Sequence, residues 1–184
     1  MGEEGYAGMV AQLRQLPAKV EEILSDTEKI QYYASIYFNH DSVFYIGRNI
    51  DYAVGLEGSL KLKEISYIHA EGYSAAEMKH GPIALIDSDM PVVVVATHDA
   101  MYEKVRSNVQ EIKAREGRVI AFVSKGERDI TRMADATIEL PDTLECLEPL
   151  MATVPLQLLA YYIAVCKGKD VDQPRNLAKS VTVE

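Results

Sequence analysis

Three apolar runs decide the fold of this chain: VFYIG (43–47), PVVVVA (91–96) and RVIAFV (118–123). Runs of this length without polar alternation are typical of parallel strands that are buried on both faces. A weaker run, ATIEL (136–140), is interpreted as a fourth strand. A fifth strand, near residues 66–72, would complete the sheet.

Helical patterns separate these strands. They cover 51–66 and 99–116, and this alternation of strand and helix is the pattern of a doubly wound sheet. The segment 145–167 is apolar on nearly every face and contains Pro155, so it is predicted to be a buried, kinked helix. The predicted fold class is therefore α/β, a flavodoxin-like three-layer αβα sandwich with a five-stranded parallel sheet.

The two ends of the chain differ from this central pattern. Two amphipathic helices, at 3–24 and 26–39, precede the first strand, which is an unusual start for a compact sheet domain. The tail from residue 168 onward has no apolar period and would by default be disordered. We therefore divide the chain into a leading helical segment (1–40), a sheet domain (41–167) and a C-terminal tail (168–184).

The composition limits the possible partners. The chain has 184 residues, of which 48% are apolar and 26% charged, and this is ordinary globular usage. Its formal net charge of −9 repels phosphates and anionic lipid, so neither nucleic acid nor a membrane surface is expected as a partner. No membrane span and no signal peptide are predicted.

The two cysteines indicate the compartment. Cys146 and Cys166, if on one helix, lie about 30 Å apart, which is too far for a disulfide. This fits a reducing, cytoplasmic location, and both are expected to be small core residues. A Walker loop, a GxGxxG motif and a paired CxxC are all missing, so neither a metal ion nor a cofactor is predicted.

Three charged residues recur at helical spacing within 51–66. Glu57, Lys61 and Glu64 stand at i, i+4 and i+7, so they share one helical face. The same spacing also suits a solvated stripe, in which a Glu–Lys pair contributes a few tenths of a kcal/mol. The helix follows VFYIG at the carboxyl edge, where open α/β sheets bind ligands. A carboxylate beside an ammonium group could there move a proton between adjacent carbons of a sugar.

Two further segments offer functional groups. His80 precedes a Gly-Pro pair and is expected on a loop, where a histidine can serve as a general acid. The tail DVDQPRNLAKSVTVE (170–184) brings Arg175 and Lys179 to an acidic chain. A lysine held near a carbonyl substrate could form a Schiff base if burial lowers its pKa.

Phosphate-binding turns are poorly represented. The turn after PVVVVA reads THDAMYEK (97–104), which has no glycine and contains an aspartate, so it is a poor phosphate site. The turn GRNIDYA (47–53) has one glycine and Arg48, which only weakly suggests an anion contact.

Two blocks resemble one enzyme family: LEGSLKLKEISYIHAEGYSAAEMKHGPIALID (56–87) and the closing tail 170–184. They are similar to the glutamine:fructose-6-phosphate amidotransferase family, whose members make glucosamine 6-phosphate. The resemblance runs from about Met9 to Glu184. In that family a glutaminase domain precedes two sugar isomerase (SIS) domains, and this chain resembles the second. The resemblance thus implies two missing domains of the same polypeptide and makes 1–40 the connector from the first SIS domain.

The resemblance also implies a role for each candidate residue. Glu64 would shuttle a proton between C1 and C2 of the sugar, while Lys61 and Glu57 assist the hydroxyl and order the site. Lys179 resembles the lysine that forms a Schiff base with the open-chain ketose. His80 resembles the ring-opening histidine, which in this family reaches the active site of the neighbouring subunit. A homodimer is therefore implied.

Other features of the resemblance concern the substrate. Arg175 and Ala178 are expected to contact the sugar phosphate. The serine- and threonine-rich loop that holds the phosphate belongs to the first SIS domain of the family and is not found here. Asn49 stands where the family commonly has a glycine. The alternative function is a sugar-phosphate sensor without catalysis, which would need the phosphate loop and not the lysine.

Overall fold

The computed structural model describes residues 2–177. Its centre is a parallel sheet in the order β2-β1-β3-β4-β5, made of β1 (Ser42–Gly47), β2 (His69–Ser74), β3 (Pro91–Ala96), β4 (Arg118–Ser124) and β5 (Ala136–Leu140). This is the flavodoxin-like order, in which β2 is added on one side of β1 and the later strands are added on the other, so the strand order switches between β1 and β3. The predicted α/β class and five-stranded parallel sheet are confirmed, although β2 begins three residues later than predicted.

Five α-helices accompany the sheet: α1 (Glu3–Ser25), α2 (Glu28–Tyr37), α3 (Asn49–Ser66), α4 (Tyr102–Lys113) and α5 (Glu148–Cys166). Alternate strand residues point to opposite faces and build two cores. Tyr45 and Phe122 belong to the core beneath α2, α3 and α5. Phe44 and Val94 belong to the core beneath α4. The sheet is thus covered on both faces, as a three-layer sandwich requires.

Helix α3 lies unusually close to the sheet. A Cβ atom at Gly58 would lie 2.8 Å from the ring of Tyr45 and 3.2 Å from Leu156 on α5. The buried stripe of α3 includes Val54, Gly58 and Leu62. This contact fixes the rotation of α3, and with it the direction in which the polar flank of the helix faces.

Helix α5 is less buried than its composition predicts. The segment Glu145–Cys166 is long and apolar enough to cross a membrane, with a mean hydropathy of 1.5, although no membrane span was expected from the sequence. Its Leu156 and Ala160 are fully buried against the sheet and the neighbouring helices, whereas Leu150 and Tyr161 are exposed. The prediction of a buried helix is therefore confirmed for one face of α5 only. One face of α5 covers the core, and a core helix passes the same test of length and hydropathy.

The expectation that both cysteines are core residues is also wrong. Cys146 lies in the 3-10 turn Glu145–Leu147 before α5, and Cys166 is the last residue of α5. Both are exposed free thiols. They sit at the two ends of the helix, so the prediction that they cannot pair holds.

Candidate active site

Lys61 and Glu64 form an ion pair on α3. The Lys61 Nζ atom donates to Glu64 Oε2 at 2.6 Å, and the side chains are 32% and 26% exposed. The hydrogen bond to Glu64 raises the pKa of Lys61, and the charges of Glu64 and Glu57 add to that effect while desolvation opposes it. Lys61 is therefore a cation at neutral pH, paired with a carboxylate that solvent or a ligand can reach.

Glu57 occupies the same flank of α3, nearer the start of the helix. Its Oε1 atom accepts a long 3.4 Å hydrogen bond from Gln157 on α5. The predicted sharing of one helical face by Glu57, Lys61 and Glu64 is thus present in the structure. The face lies beside the α3–α5 contact rather than pointing straight into solvent.

The predicted position of this face at the carboxyl edge of the sheet is wrong. Glu64 stands fifteen residues after Asn49, which is about 22 Å along a helix axis. That distance matches the length of a six-residue strand, about 20 Å. Because α3 runs back to connect two parallel strands, Glu64 lies at the amino edge, shortly before β2 begins at His69. The helix starts at the expected edge, but its acid–base pair is at the other end.

The usual ligand crevice of this topology is filled by a side chain. Asp51, in the first turn of α3, accepts hydrogen bonds from the backbone N–H and the hydroxyl of Thr97, each at 2.9 Å. Asp51 is 2% exposed, and burial raises its pKa from 3.8 to about 6. Ser124, at the end of β4, donates in turn to buried Glu148 at 2.9 Å. The N–H and hydroxyl of Thr97 are therefore bound to a carboxylate of the chain itself, and the N–H of His98 donates to the Ser124 hydroxyl at 2.9 Å.

The GRN turn is likewise engaged in internal contacts. Both Nε and Nη2 of Arg48 donate to Oδ1 of buried Asn108, at 3.2 and 3.1 Å. Asn49 adopts a left-handed backbone with φ of 50°, which explains why a glycine suits this position. Neither residue is arranged as a ligand-binding group, and the weak anion signal of Arg48 has a structural explanation.

His80 lies far from Glu64 within one chain. It ends the 3-10 turn Met78–His80, which follows the carboxyl end of β2, and its side chain is exposed. Met78 is buried, and Lys79 pairs with Glu111 of α4 at 2.8 Å. These two side chains hold the turn against the domain. Glu64 is at the amino edge of the sheet, about one strand length away. The structure does not bring His80 and Glu64 of the same chain together.

The beginning of the tail packs against the end of α3. Arg175 donates its backbone N–H to the hydroxyl of Tyr67 at 2.9 Å, and its guanidinium lies 4.2 Å from the centre of the Tyr67 ring. A cavity of about 330 Å³ lies here, lined by Leu60, Lys63, Glu64, Tyr67, Arg175, Asn176 and Leu177. Arg175 thus comes close to Glu64, as a shared site requires. Ala178 and Lys179 lie outside the described residues.

Asp51 and Tyr67 were not predicted as functional residues from the sequence. Asp51 has the position of an ordinary acidic residue in a first helical turn, and Tyr67 lies between a helix and a strand without any motif. Their partners, Thr97 and Arg175, are 46 and 108 residues distant. These contacts arise because the fold brings distant segments together, and a local sequence pattern does not show them.

The parallel sheet has the strand order 2-1-3-4-5, which is that of the flavodoxin-like α/β domains. A polar flank of α3 lies beside the C-terminal segment in this domain. The family model for the SIS domain matches residues 36–167, and the chain belongs to that family.

Relatives of known identity narrow the comparison. The chain is 63% identical over 182 residues to the isomerizing glutamine–fructose-6-phosphate aminotransferase of Bacteroides thetaiotaomicron, covering 99% of this chain and 30% of that protein. It is 54% identical over 176 residues to the same enzyme of Caldanaerobacter subterraneus subsp. tengcongensis, covering 96% of this chain and 29% of that protein. The chain therefore spans about a third of the length of these relatives.

A solved structure agrees with the sequence relatives. The C-terminal domain of glucosamine-fructose-6-phosphate aminotransferase from Francisella tularensis superposes with a TM-score of 0.87 at 37% identity. The match covers 94% of this chain and 49% of that one. The chain is thus homologous to the C-terminal SIS region of this aminotransferase, and the resemblance predicted from the sequence is confirmed at that level.

Proposed function

We propose that this chain is the second SIS domain of an isomerizing glutamine–fructose-6-phosphate aminotransferase. The observation that carries the proposal is the 63% identity to such an enzyme across nearly the whole chain. The complete reaction converts fructose 6-phosphate and glutamine into glucosamine 6-phosphate and glutamate. In this proposal residues 1–40 connect the domain to a preceding SIS domain, and a glutaminase domain supplies the nitrogen.

The acid–base pair on α3 supports a proton-transfer role. In the proposed mechanism Lys179 forms a Schiff base with the C2 carbonyl of the open-chain ketose. Ammonia supplied by the glutaminase domain then displaces Lys179 at C2, which leaves an imine on the sugar and returns the lysine as a free amine. The carboxylate of Glu64 takes a proton from C1 and returns it to C2, while the C1 hydroxyl proton passes to the nitrogen, so that C1 becomes the aldehyde and C2 carries the amine. Lys61 stays protonated beside Glu64, so it can donate a hydrogen bond to a substrate hydroxyl, and Glu57 adds negative charge that keeps Lys61 protonated.

The position of the tail supports the participation of Lys179. Residues 175–177 line the same cavity as Glu64, and Lys179 follows two residues later. Arg175 brings positive charge to this cavity, where it can contact an anionic sugar together with Ala178.

Two further parts of this active site, the phosphate site and the ring-opening histidine, are proposed to come from outside this chain. Asp51 occupies the hydrogen-bonding groups of Thr97, which supports a phosphate site on the first SIS domain instead. His80 projects at the opposite sheet edge from Glu64, which supports ring opening in the active site of a neighbouring subunit and hence a homodimer. The exposed free thiols support a reducing, cytoplasmic location.

An isomerisation assay tests this division of labour. Fructose 6-phosphate is offered to the 184-residue chain and to the chain rejoined to its preceding SIS domain, and glucose 6-phosphate is measured. We expect activity only in the rejoined protein, because the separate chain lacks the phosphate-binding loop. Robust isomerisation by the separate chain would refute the proposal.

Trapping distinguishes the enzyme from a sugar-phosphate sensor. Borohydride reduces a Schiff base to a stable amine, so the rejoined protein with fructose 6-phosphate should acquire a sugar adduct on Lys179 that mass spectrometry locates. A Lys179→Arg variant is the matched control. Binding of the sugar without any adduct would favour the sensor.

A further inference from the structure

In the part of the tail that the structure describes, Lys169 and Arg175 contact the aromatic side chain of Tyr67. The Tyr67 hydroxyl accepts the backbone N–H of Arg175 at 2.9 Å. The Arg175 guanidinium stacks 4.2 Å from the ring centre, and Lys169 Nζ lies 5.6 Å from the same centre. Two cations and one backbone group of the tail therefore converge on one residue, in an arrangement typical of cation–π contacts.

The backbone conformation of Tyr67 is one that favours glycine over tyrosine. Tyr67 ends α3 with φ of 63° and ψ of 18°, in the left-handed region. Glycine is favoured there, because a side chain in that region costs roughly 1–2 kcal/mol. A glycine would end the helix with less strain but would offer neither a ring nor a hydroxyl. The ring and the hydroxyl are what the tail contacts.

The attachment point lies beside the proposed proton shuttle. Glu64 precedes Tyr67 by three residues, and both line the same cavity as Leu177 of the tail. Lys179 is two residues beyond Leu177, so an extended chain lets it lie at most about 7 Å further on. Lys179 therefore follows closely on a segment that lines the same cavity as Glu64.

We propose that Tyr67 is a positioning residue, which holds the tail by Arg175 and Lys169 so that Lys179 stays within reach of Glu64. The proposal rests on the proposed function for the role of Lys179. The contact of Tyr67 with the tail can be tested without that role, and the two can therefore fail separately.

Amide hydrogen exchange in the 184-residue chain tests the contact itself. Tyr67→Phe removes the acceptor of the Arg175 N–H while keeping the ring. We expect the Arg175 amide to exchange faster by on the order of fivefold, the equivalent of one ordinary hydrogen bond. Tyr161→Phe, an exposed tyrosine on α5, is the control and should leave Arg175 unchanged. An Arg175 amide that exchanges equally in Tyr67→Phe and wild type would overturn the contact.

Trapping in the rejoined protein tests the consequence. Tyr67→Ala should lower both kcat and the yield of the borohydride adduct on Lys179 by on the order of tenfold or more, while Tyr67→Phe, which keeps the ring, loses less. The melting temperature should change little in Tyr67→Phe, which separates positioning from a general loss of structure. Equal trapping in wild type and both variants would overturn the positioning role. An absent adduct in wild type would instead refute the proposed function, and amide exchange would still decide the contact.

Discussion

The carboxylate of Asp51 is bound by both the backbone N–H and the hydroxyl of Thr97, across the crevice between β1 and β3. In open α/β sheets this crevice is where ligands bind, because the chain leaves the two strands in opposite directions. Asp51 thus supplies from within the chain the negative charge that a bound phosphate would bring. The proposed site of this domain lies instead at the far end of α3, where residues 175–177 line a cavity together with Glu64.

The burial of Asp51 predicts a pH-dependent stability. Its pKa is about 6 in the folded chain and 3.8 as a free side chain, so between these values the folded state binds more protons than the unfolded state. The stabilisation is fully present below pH 4 and is lost as the pH rises through about 6. The difference corresponds to about 3 kcal/mol. Urea unfolding at a series of pH values measures it.

Asp51→Asn provides the comparison. The amide keeps the shape and can still bond both groups of Thr97, but it does not titrate. Its stability relative to wild type should rise by up to about 3 kcal/mol between pH 4 and 7, since carboxylates such as Glu148 contribute to both chains. A difference that stays constant with pH would contradict the assigned shift.

Glu64→Gln should abolish proton transfer in the rejoined protein. Glutamine keeps the length of the side chain and can still accept the hydrogen bond from Lys61, so the pair geometry survives while the base is lost. We expect the isomerisation rate to fall on the order of 10²-fold or more, with little change in melting temperature. Glu103→Gln, at a 68% exposed position on α4, is the matched control and should keep its activity. A rate unchanged in Glu64→Gln would remove Glu64 from the mechanism.

The local features of this chain were predictable and the long-range ones were not. The apolar runs predicted β1, β3 and β4 closely, because strands buried on both faces must be continuously apolar. The weaker run ATIEL predicted the edge strand β5, in which buried and more exposed residues alternate. Helical periodicity likewise predicted that Lys61 and Glu64 are neighbours. Periodicity predicted the shared helical face but not the sheet edge at which it lies, because a connecting helix runs from the carboxyl edge back to the amino edge. The contacts of Asp51 and Tyr67 join distant segments, and no local pattern encodes them.

The separation of His80 from Glu64 predicts complementation between subunits. His80→Ala and Glu64→Gln should each inactivate the rejoined protein. If His80 acts in the partner's site, a mixed dimer of the two variants contains one site with both residues intact. Random exchange of subunits should then restore about a quarter of wild-type activity, as a two-fold dimer requires. No recovery after verified subunit exchange would mean that His80 acts within its own chain.

The left-handed backbone at Asn49 predicts that alanine and glycine substitutions differ in their effect on stability. Asparagine tolerates φ of 50° better than other non-glycine residues, and its Nδ2 donates a long 3.4 Å hydrogen bond to Asp99. Asn49→Ala should destabilise the fold by roughly 1 kcal/mol, whereas Asn49→Gly should be close to neutral. Denaturant unfolding measures both. An alanine variant as stable as the glycine variant would exclude strain as the reason for the preference.

The close approach of α3 to the sheet predicts that Gly58 tolerates no side chain. A methyl group at Gly58 would lie 2.8 Å from the Tyr45 ring and 3.2 Å from Leu156, so α3 must shift. Gly58→Ala should therefore destabilise the fold by about 1–3 kcal/mol, although alanine favours helix. Gly8→Ala in α1, where no atom lies within 4 Å of the added Cβ, is the control and should not destabilise. Because α3 bears the acid–base pair, the same shift should also lower isomerisation in the rejoined protein. A Gly58→Ala variant with wild-type stability and activity would show that the rotation of α3 is not fixed by this contact.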